Sequence, residues 1–312
     1  MTEENIPSFG KYQVVKRLDA GAMGEVYMAY QPLLERRVAI KVLHPHLATG
    51  ADFVDRFKKE AAVVARLRHT NIMQVYDFDV ASDRYYMVME FLDGPTLKEE
   101  MVERERAGKP FTPYEIGYIL NALASALDYA HARGMIHRDI KPANIMFNDE
   151  GQVVLTDFGI VHIVGDMGDD TVAGQIIGTP AYMSPEQGAG QPIGAPSDIY
   201  SLGVVLYQLV TGQLPFQAES ALSMVMKHVN EPPPPIRQID ASVSPALESA
   251  IMKALSKDAA SRYQRAGAFA QALRQAVGMS AEQALAAFSI TAVPRTPPPV
   301  LQQSGAIATD DV

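Results

Sequence analysis

Cysteine is missing altogether from the 312 residues, which excludes a disulfide framework, thiolate metal sites and a cysteine nucleophile. Its absence fits a reducing compartment. Basic side chains are in the minority, 27 against 36 acidic, for a net charge of −9. That balance argues against bulk nucleic-acid binding, which depends on Lys and Arg neutralising phosphates. No long hydrophobic run is present. The most apolar stretch, 199–210, includes Ser201 and Gln208 and is short enough to read as a buried core helix rather than a membrane span. The start, Met1-Thr2-Glu3-Glu4-Asn5, is acidic where a signal peptide would be basic and then apolar. Glycine and proline number 22 and 21 but lack the period of a collagen-like chain.

What remains is the mix of an ordinary soluble globular protein, 47% apolar and 20% charged. The length is about twice the usual ~150 residues per domain, which predicts two lobes. Residues 11–43 favour β-branched and aromatic types (Tyr12, Val14, Val15; Val26, Tyr27; Val38, Ile40, Val42) and read as three strands. Phe53, Phe57, Ala61, Val64 and Leu67 recur with helical spacing across 52–68. Strand-like runs follow at 72–78 and 85–91, so the first ninety residues predict a five-stranded antiparallel sheet with one main helix. Beyond Leu92-Asp93-Gly94 the pattern turns helical, with candidates at 96–107, 113–133, 197–211, 219–229, 245–255 and 266–277. Short apolar strands at 145–147 and 153–155 interrupt them. The expected class is α+β and bilobal. Residues 278–312, with Pro294, Pro297, Pro298 and Pro299 close together, read as a Pro-rich flexible tail.

Asp19-x-Gly21-x-x-Gly24 is weak on its own. The following Glu25-Val26-Tyr27-Met28-Ala29 reads as a returning strand, so the glycines cap a hairpin instead of opening a helix as a dinucleotide fingerprint requires. A glycine hairpin lets backbone N–H groups approach phosphate oxygens, yet a plain turn reads equally well at that point. The context is more specific. Val38-Ala39-Ile40-Lys41 follows, then His137-Arg138-Asp139-Ile140-Lys141-Pro142-Ala143-Asn144, then Asp157-Phe158-Gly159 and Ser184-Pro185-Glu186. With these motifs in this order the chain resembles the eukaryotic-type (Hanks-type) serine/threonine protein kinases. It is most similar to the bacterial membrane-associated members, through 21–27 and 178–187. The likeness covers about 10–277.

The resemblance implies a bilobal protein kinase-like fold: a flexible N-terminus at 1–9, an N-lobe at 10–91, a hinge at 90–94 and a C-lobe at 95–277. It implies ATP and Mg²⁺ (Mn²⁺ as an alternative), with Asp139 as base, Asn144 and Asp157 as metal ligands, and Lys41 on the phosphates. The chemistry suits the residue types: a carboxylate can take a hydroxyl proton, and hard oxygens suit magnesium. Glu60, in the first helix, matches the glutamate that orients Lys41; a surface ion pair with Lys59 or Arg66 is the plainer alternative. Lys141 matches the serine/threonine branch, and Thr179 would contact it and Asp139. Adenine would sit against Leu18, Val26 and Ala39 above and Met146 below, beside main-chain groups of Glu90 and Leu92, with Gly21 and Gly24 near the phosphates. Val64, Val75, His137 and Phe158 would join the lobes. Glu186 would pair with Arg262, and Asp198 would anchor the catalytic loop. One departure is Asp19, which stands where the family has its first glycine.

Two function classes follow: a kinase acting on protein serines and threonines in signalling, or a nucleotide-binding pseudokinase scaffold. Pseudokinases usually lack one of the essential lysine, base or metal aspartate, and Lys41, Glu60, Asp139, Asn144 and Asp157 are all present. A homodimer would serve autophosphorylation in trans, although no residue specifies it. The expected place is the cytoplasm, tethered to the inner face of a membrane if the natural chain continues past Val312. Between Asp157 and Glu186 lie Asp166, Asp169, Asp170, Thr171 and Thr179; the two threonines are candidate phosphosites, with Arg138 as the basic partner of a phosphate. Mapping phosphosites on purified protein after incubation with ATP should find Thr171 modified, and no phosphate between 160 and 180 would refute that expectation.

Overall fold

The computed structural model describes residues 9–21, 24–45, 62–81, 83–158, 179–280 and 283. Strands β1 (Gln13–Gly21), β2 (Gly24–Gln31), β3 (Arg36–Leu43), β4 (Val75–Ala81) and β5 (Arg84–Glu90) form one antiparallel sheet in the order β1-β2-β3-β5-β4. Side chains alternate across a strand. On β3, Val38, Ile40 and Val42 therefore pack with Phe9, Tyr12, Tyr86 and Val88 on the outer face. Ala39 and Leu43 face the main core with Met87 and Met89. Lys41 lies between Ala39 and Leu43 in that alternation, so the strand itself turns it toward the second lobe.

Of the helix expected at 52–68, residues 52–61 lie outside the described part. The turn at 62–64 is helical, and Val64 and Leu67 are buried against the core. The strand expected at 72–78 begins only at Val75. Ile72 instead bridges Leu155 in parallel, Met73 N–H donates to Leu155 O at 3.0 Å, and Leu155 N–H donates to Asn71 O at 2.9 Å. The segment satisfies its backbone on the second lobe before it joins the sheet.

The second lobe contains α1 (Leu97–Ala107), α2 (Pro113–His131), the hairpin β6 (Ile145–Phe147) and β7 (Val153–Leu155), α3 (Pro185–Gly188), α4 (Ala195–Thr211), α5 (Ala221–Asn230), α6 (Ile236–Ile239), α7 (Pro245–Ala254) and α8 (Ala266–Val277). Reciprocal capping boxes start α1 (Thr96, Glu99) and α2 (Thr112, Glu115), satisfying N–H groups that the helix cannot pair internally. Helix α4 is the expected 199–210 core helix, with Ile199, Tyr200, Leu202, Val204, Val205 and Leu206 fully buried. Among the described residues no helix is long and apolar enough to cross a membrane. Packing carries past residue 277: Met279 is buried and fills the space beside Gly117 of α2.

The link between lobes is drawn tight by Gly94. A Cβ there would stand 2.1 Å from Phe147 O, so only glycine lets the connection pass β6. Arg37 of β3 also reaches Asp93 with two bonds of 2.8 and 2.6 Å.

A buried ion pair ties α3 to the segment before α8. Arg262 donates to both Glu186 oxygens at 2.7 and 2.8 Å and to the carbonyls of Ser256, Pro196 and Lys257, while Ser197 donates to Glu186 at 2.6 Å. Burial alone would raise the Glu186 carboxyl, but the bonds from Arg262 and Ser197 outweigh it and hold the group below its ordinary 4.5. This contribution is therefore present above the ordinary carboxylate range and is lost as pH falls through the lowered value. Arg262→Ala strands a buried carboxylate and should cost about 3–5 kcal/mol in denaturant unfolding; a loss under about 1 kcal/mol, the worth of an exposed pair, would contradict that.

Candidate active site

A cavity of about 590 Å³ opens between the lobes. Its roof is Leu18, Val26 and Ala39, its floor Met146, and its back the segment Met89 to Leu92, with Asp157 at one end. Of the residues expected around adenine, Leu18, Val26, Ala39, Glu90, Leu92 and Met146 all line it. Glu90 N–H is already spent on Gln74 O at 2.8 Å, which leaves its carbonyl as the group a ligand could use. Asp19 lines the cavity too, and its Oδ1 accepts the Ala20 N–H at 2.8 Å. Gly21 and Gly24 face each other across the β1–β2 pair. Their reasons for being glycine differ: a Cβ on Gly21 meets nothing, whereas one on Gly24 would stand 1.9 Å from Val42 O. Gly24 is thus demanded by the sheet whatever binds nearby.

Below the cavity the chain bends into a loop that one carboxylate organises. Asp198, on the first turn of α4 and 1% exposed, accepts the N–H of His137 and the N–H of Arg138, both at 2.8 Å, and His131 Nε2 at 2.7 Å. Arg138 sits at φ 68°, in the left-handed region that costs a non-glycine residue roughly 1–3 kcal/mol unless its surroundings impose it. The Asp198 bonds impose it. His137 accepts the Asp139 N–H at Nδ1 (3.3 Å) and so donates from Nε2 to Thr156 O (2.8 Å); its ring stands edge-on to Phe158 at 4.6 Å. Val64, Val75 and Phe158 belong to one buried cluster.

The loop presents three groups at one point. Lys141 Nζ donates to Asp139 Oδ2 at 2.8 Å, and Asn144 Nδ2 donates to the same oxygen at 3.0 Å and to Asp139 O at 2.8 Å. Lys141 Nζ also reaches Thr179 Oγ1 at 3.2 Å. Asp139 Oδ2 is therefore shared by two donors, and Oδ1 remains for a hydroxyl. Asn144 has turned its donors inward, which leaves its Oδ1 as the atom for a cation.

Lys41 is 8% exposed and meets Asp157 directly, Nζ to Oδ1 at 2.8 Å. Glu60, the expected partner of Lys41, lies outside the described residues, as does Thr171. Asp157 itself sits at φ 62°. Burial would raise its carboxyl, but the charge and hydrogen bond of Lys41 overcome this, and it stays below 3.8. Among the described residues no three His, Cys, Asp or Glu side chains group as a metal site. Asn144 and Asp157 together supply two hard oxygens, which suits a magnesium-like ion that takes its other ligands from phosphate and water. Arg138 Nε is buried with no partner among the described residues.

Several lining residues carried no motif: Met73 and Thr156, and from α1 Lys98, Val102 and Arg106. The capping box at Thr96 and Glu99 was the available signal, because a helix starting immediately after the interlobe link must flank the opening. A second cavity of about 860 Å³ adjoins the first across Lys98, Val102 and Ala143. Met101, Phe111, Tyr182, Leu209 and Leu214 form its apolar walls, and Lys141 and Thr179 lie at its edge.

The sequence profile of the protein kinase domain matches residues 12–276. The serine/threonine-protein kinase Pkn1 of Myxococcus xanthus is 40% identical over 272 residues, covering 86% of this chain and 38% of that protein. The serine/threonine-protein kinase PrkC of Bacillus subtilis is 39% identical over 257 residues, 82% of this chain and 39% of that protein. The chain thus spans about two-fifths of the length of these curated relatives. The crystal structure of the Mycobacterium tuberculosis PknI kinase domain superposes with a TM-score of 0.70 at 30% identity, covering 86% of this chain and 98% of that one.

The Lys41–Asp157 contact makes a spectroscopic prediction. In Lys41→Met the burial of Asp157 is no longer opposed by its nearest cation, so its carboxyl should titrate above 3.8. An NMR titration of the Asp157 side chain measures this, and a value still below 3.8 would show that another group holds it.

Proposed function

The chain belongs to the protein kinase family, and within it we propose that this protein transfers the γ-phosphoryl group of ATP to serine and threonine hydroxyls of proteins. The observation that carries the reading is the convergence of Lys141 and Asn144 on a single oxygen of Asp139, beside the Lys41–Asp157 pair. An acceptor hydroxyl placed against Asp139 Oδ1 has a base within reach. Lys141, held between Asp139 and Thr179, offsets negative charge that builds up between acceptor and phosphate. Lys41 would hold the α- and β-phosphates. Phosphoryl transfer asks the protein mainly for position and charge neutralisation, and these groups supply both.

Asn144 and Asp157 would hold Mg²⁺, with Mn²⁺ as an alternative; the chemistry such an ion would supply is neutralisation of phosphate charge. Adenine would lie between Val26, Ala39 and Met146 with the Glu90–Leu92 main chain alongside. The second cavity supports a polypeptide acceptor over a small molecule, because it continues from Lys141 and Thr179 along apolar walls. A scaffold without chemistry has no need of Lys41, Asp139, Asn144 and Asp157 in this mutual arrangement.

The functional unit is residues 10–277, with Phe9 and Met279 packed against it, and it has an N-lobe at 10–91, a hinge at 90–94 and a C-lobe at 95–277. Phosphorylation of Thr171 would offer a partner to Arg138, whose Nε has none among the described residues, and two copies would meet to carry it out. Thr179 is the less available of the two candidates, since its hydroxyl already engages Lys141. ATP supply and the absence of cysteine favour the cytoplasmic side as the place of action.

Asp139→Asn keeps the volume and removes the base. It should lower the rate of ³²P transfer from ATP to protein by about 10²–10⁴-fold while leaving nucleotide binding within about threefold. Equal label on wild type and variant would sink the reading.

A further inference from the structure

Among the buried polar groups that the reaction does not use, one joins three elements beside the acceptor site. His228 of α5 is 1% exposed. Its Nε2 lies 3.1 Å from Ala181 O, and its Nδ1 lies 2.9 Å from the Tyr200 hydroxyl of α4. A carbonyl only accepts, so Nε2 carries the proton, Nδ1 is the acceptor, and the Tyr200 hydroxyl donates into it. Burial, then the Lys257 charge, pushes His228 down to about 4, so one donor and one acceptor persist at neutral pH. Burial likewise raises Tyr200, which keeps the proton it donates.

Lys257 completes the set. Its Nζ donates to His228 O at 2.6 Å and reaches Tyr200 Oη at 3.4 Å, and it sits 4.8 Å from the centre of the Phe216 ring. The end of α5 is thereby clamped to α4 and to the segment before α8. The bonds run in one direction, Lys257 to Tyr200 to His228, and end on Ala181 O. Ala181 is the middle residue of the single turn Pro180–Tyr182, whose N-cap is Thr179, the residue held by Lys141. Tyr182 is bound separately, its hydroxyl donating to Gln208 at 2.7 Å.

We propose that His228 is a positioning residue: its Nε2–H bond to Ala181 O holds the 180–182 turn where the acceptor polypeptide must rest, so that the acceptor hydroxyl meets Asp139. The proposal rests on the phosphotransfer reading above. Packing alone does not account for the residue. The ring meets two aromatic neighbours at steep angles, Tyr200 at 5.7 Å and Phe216 at 5.0 Å, and phenylalanine would satisfy both without a hydrogen bond.

The test uses the full chain as wild type, His228→Phe, His228→Gln and Tyr200→Phe, with labelled ATP and the best peptide that wild type selects from a degenerate serine/threonine library. His228→Phe keeps the aromatic edges and deletes both bonds. It should raise the KM for peptide about three- to tenfold, the worth of one ordinary hydrogen bond, with the KM for ATP within about twofold of wild type. His228→Gln retains a donor toward Ala181 and should recover most of the loss. Tyr200→Phe, which leaves Nδ1 unpaired, should fall between them. Peptide KM values within about twofold of wild type in both His228→Phe and Tyr200→Phe overturn the proposal, as does an equal rise in both KM values. Should His228→Phe fail to fold, Tyr200→Phe and His228→Gln carry the same comparison. A wild type that labels no peptide overturns the phosphotransfer reading and the proposal with it, whereas an active wild type insensitive to His228 overturns the proposal alone.

Discussion

The site depends first on Asp198. A buried carboxylate is costly unless donors surround it, and this one is surrounded by two successive backbone N–H groups and an imidazole. The loop conformation and the carboxylate stabilise each other. Without Asp198, Arg138 would have no reason to occupy φ 68°, and the chain would leave that turn in a different direction. Asp139, Lys141 and Asn144 inherit their convergence from it. The proposed base is placed by a residue that would not touch the acceptor.

Helix α4 supplies that carboxylate and more. It is apolar around nearly its whole circumference, so each polar side chain on it needs a specific partner. Ser197 donates to Glu186, Asp198 accepts from the loop, Tyr200 donates to His228, and Gln208 accepts from Tyr182. Four segments distant in sequence are thereby referred to one rigid rod: the catalytic loop, α3, α5 and the 180–182 turn. A buried helix with a few satisfied polar side chains is a more exact reference than a surface helix, because Ser197, Asp198 and Tyr200 are buried and cannot readily exchange their partners for water.

Legibility in the sequence followed the range of the interaction. Period-2 alternation on β3 already sets Lys41 on the opposite face from Val38, Ile40 and Val42, and the short apolar runs at 145–147 and 153–155 are the β6–β7 hairpin residue for residue. The grouping of Asp139, Lys141 and Asn144 was readable because six residues of one loop contain it. Other features had no local signature. Ile72 and its neighbours look like strand, and only Leu155, more than eighty residues on, draws their backbone away. Gly24 reads as a phosphate glycine, yet its close neighbour is Val42 O, a contact that exists only once β2 and β3 are in register. His228 shares no motif with Ala181, since the bond between them spans 47 residues.

The charge balance takes on a different meaning at this level. A net charge of −9 disfavours contact with an extended polyanion, but it does not describe the cleft. There two of the acids face cations: Asp157 faces Lys41 and Asp139 faces Lys141. On the proposed reading, a nucleotide phosphate reaching Lys41 would have to compete with Asp157, and Asp157 would then need another cation. The two exchanges are coupled, because either alone leaves one partly buried charge without its counterpart. On that reading the acidic protein and the anionic nucleotide would be reconciled locally, by Lys41 and the oxygens of Asn144 and Asp157. Charge on the surface farther than a Debye length away is screened and acts little on them.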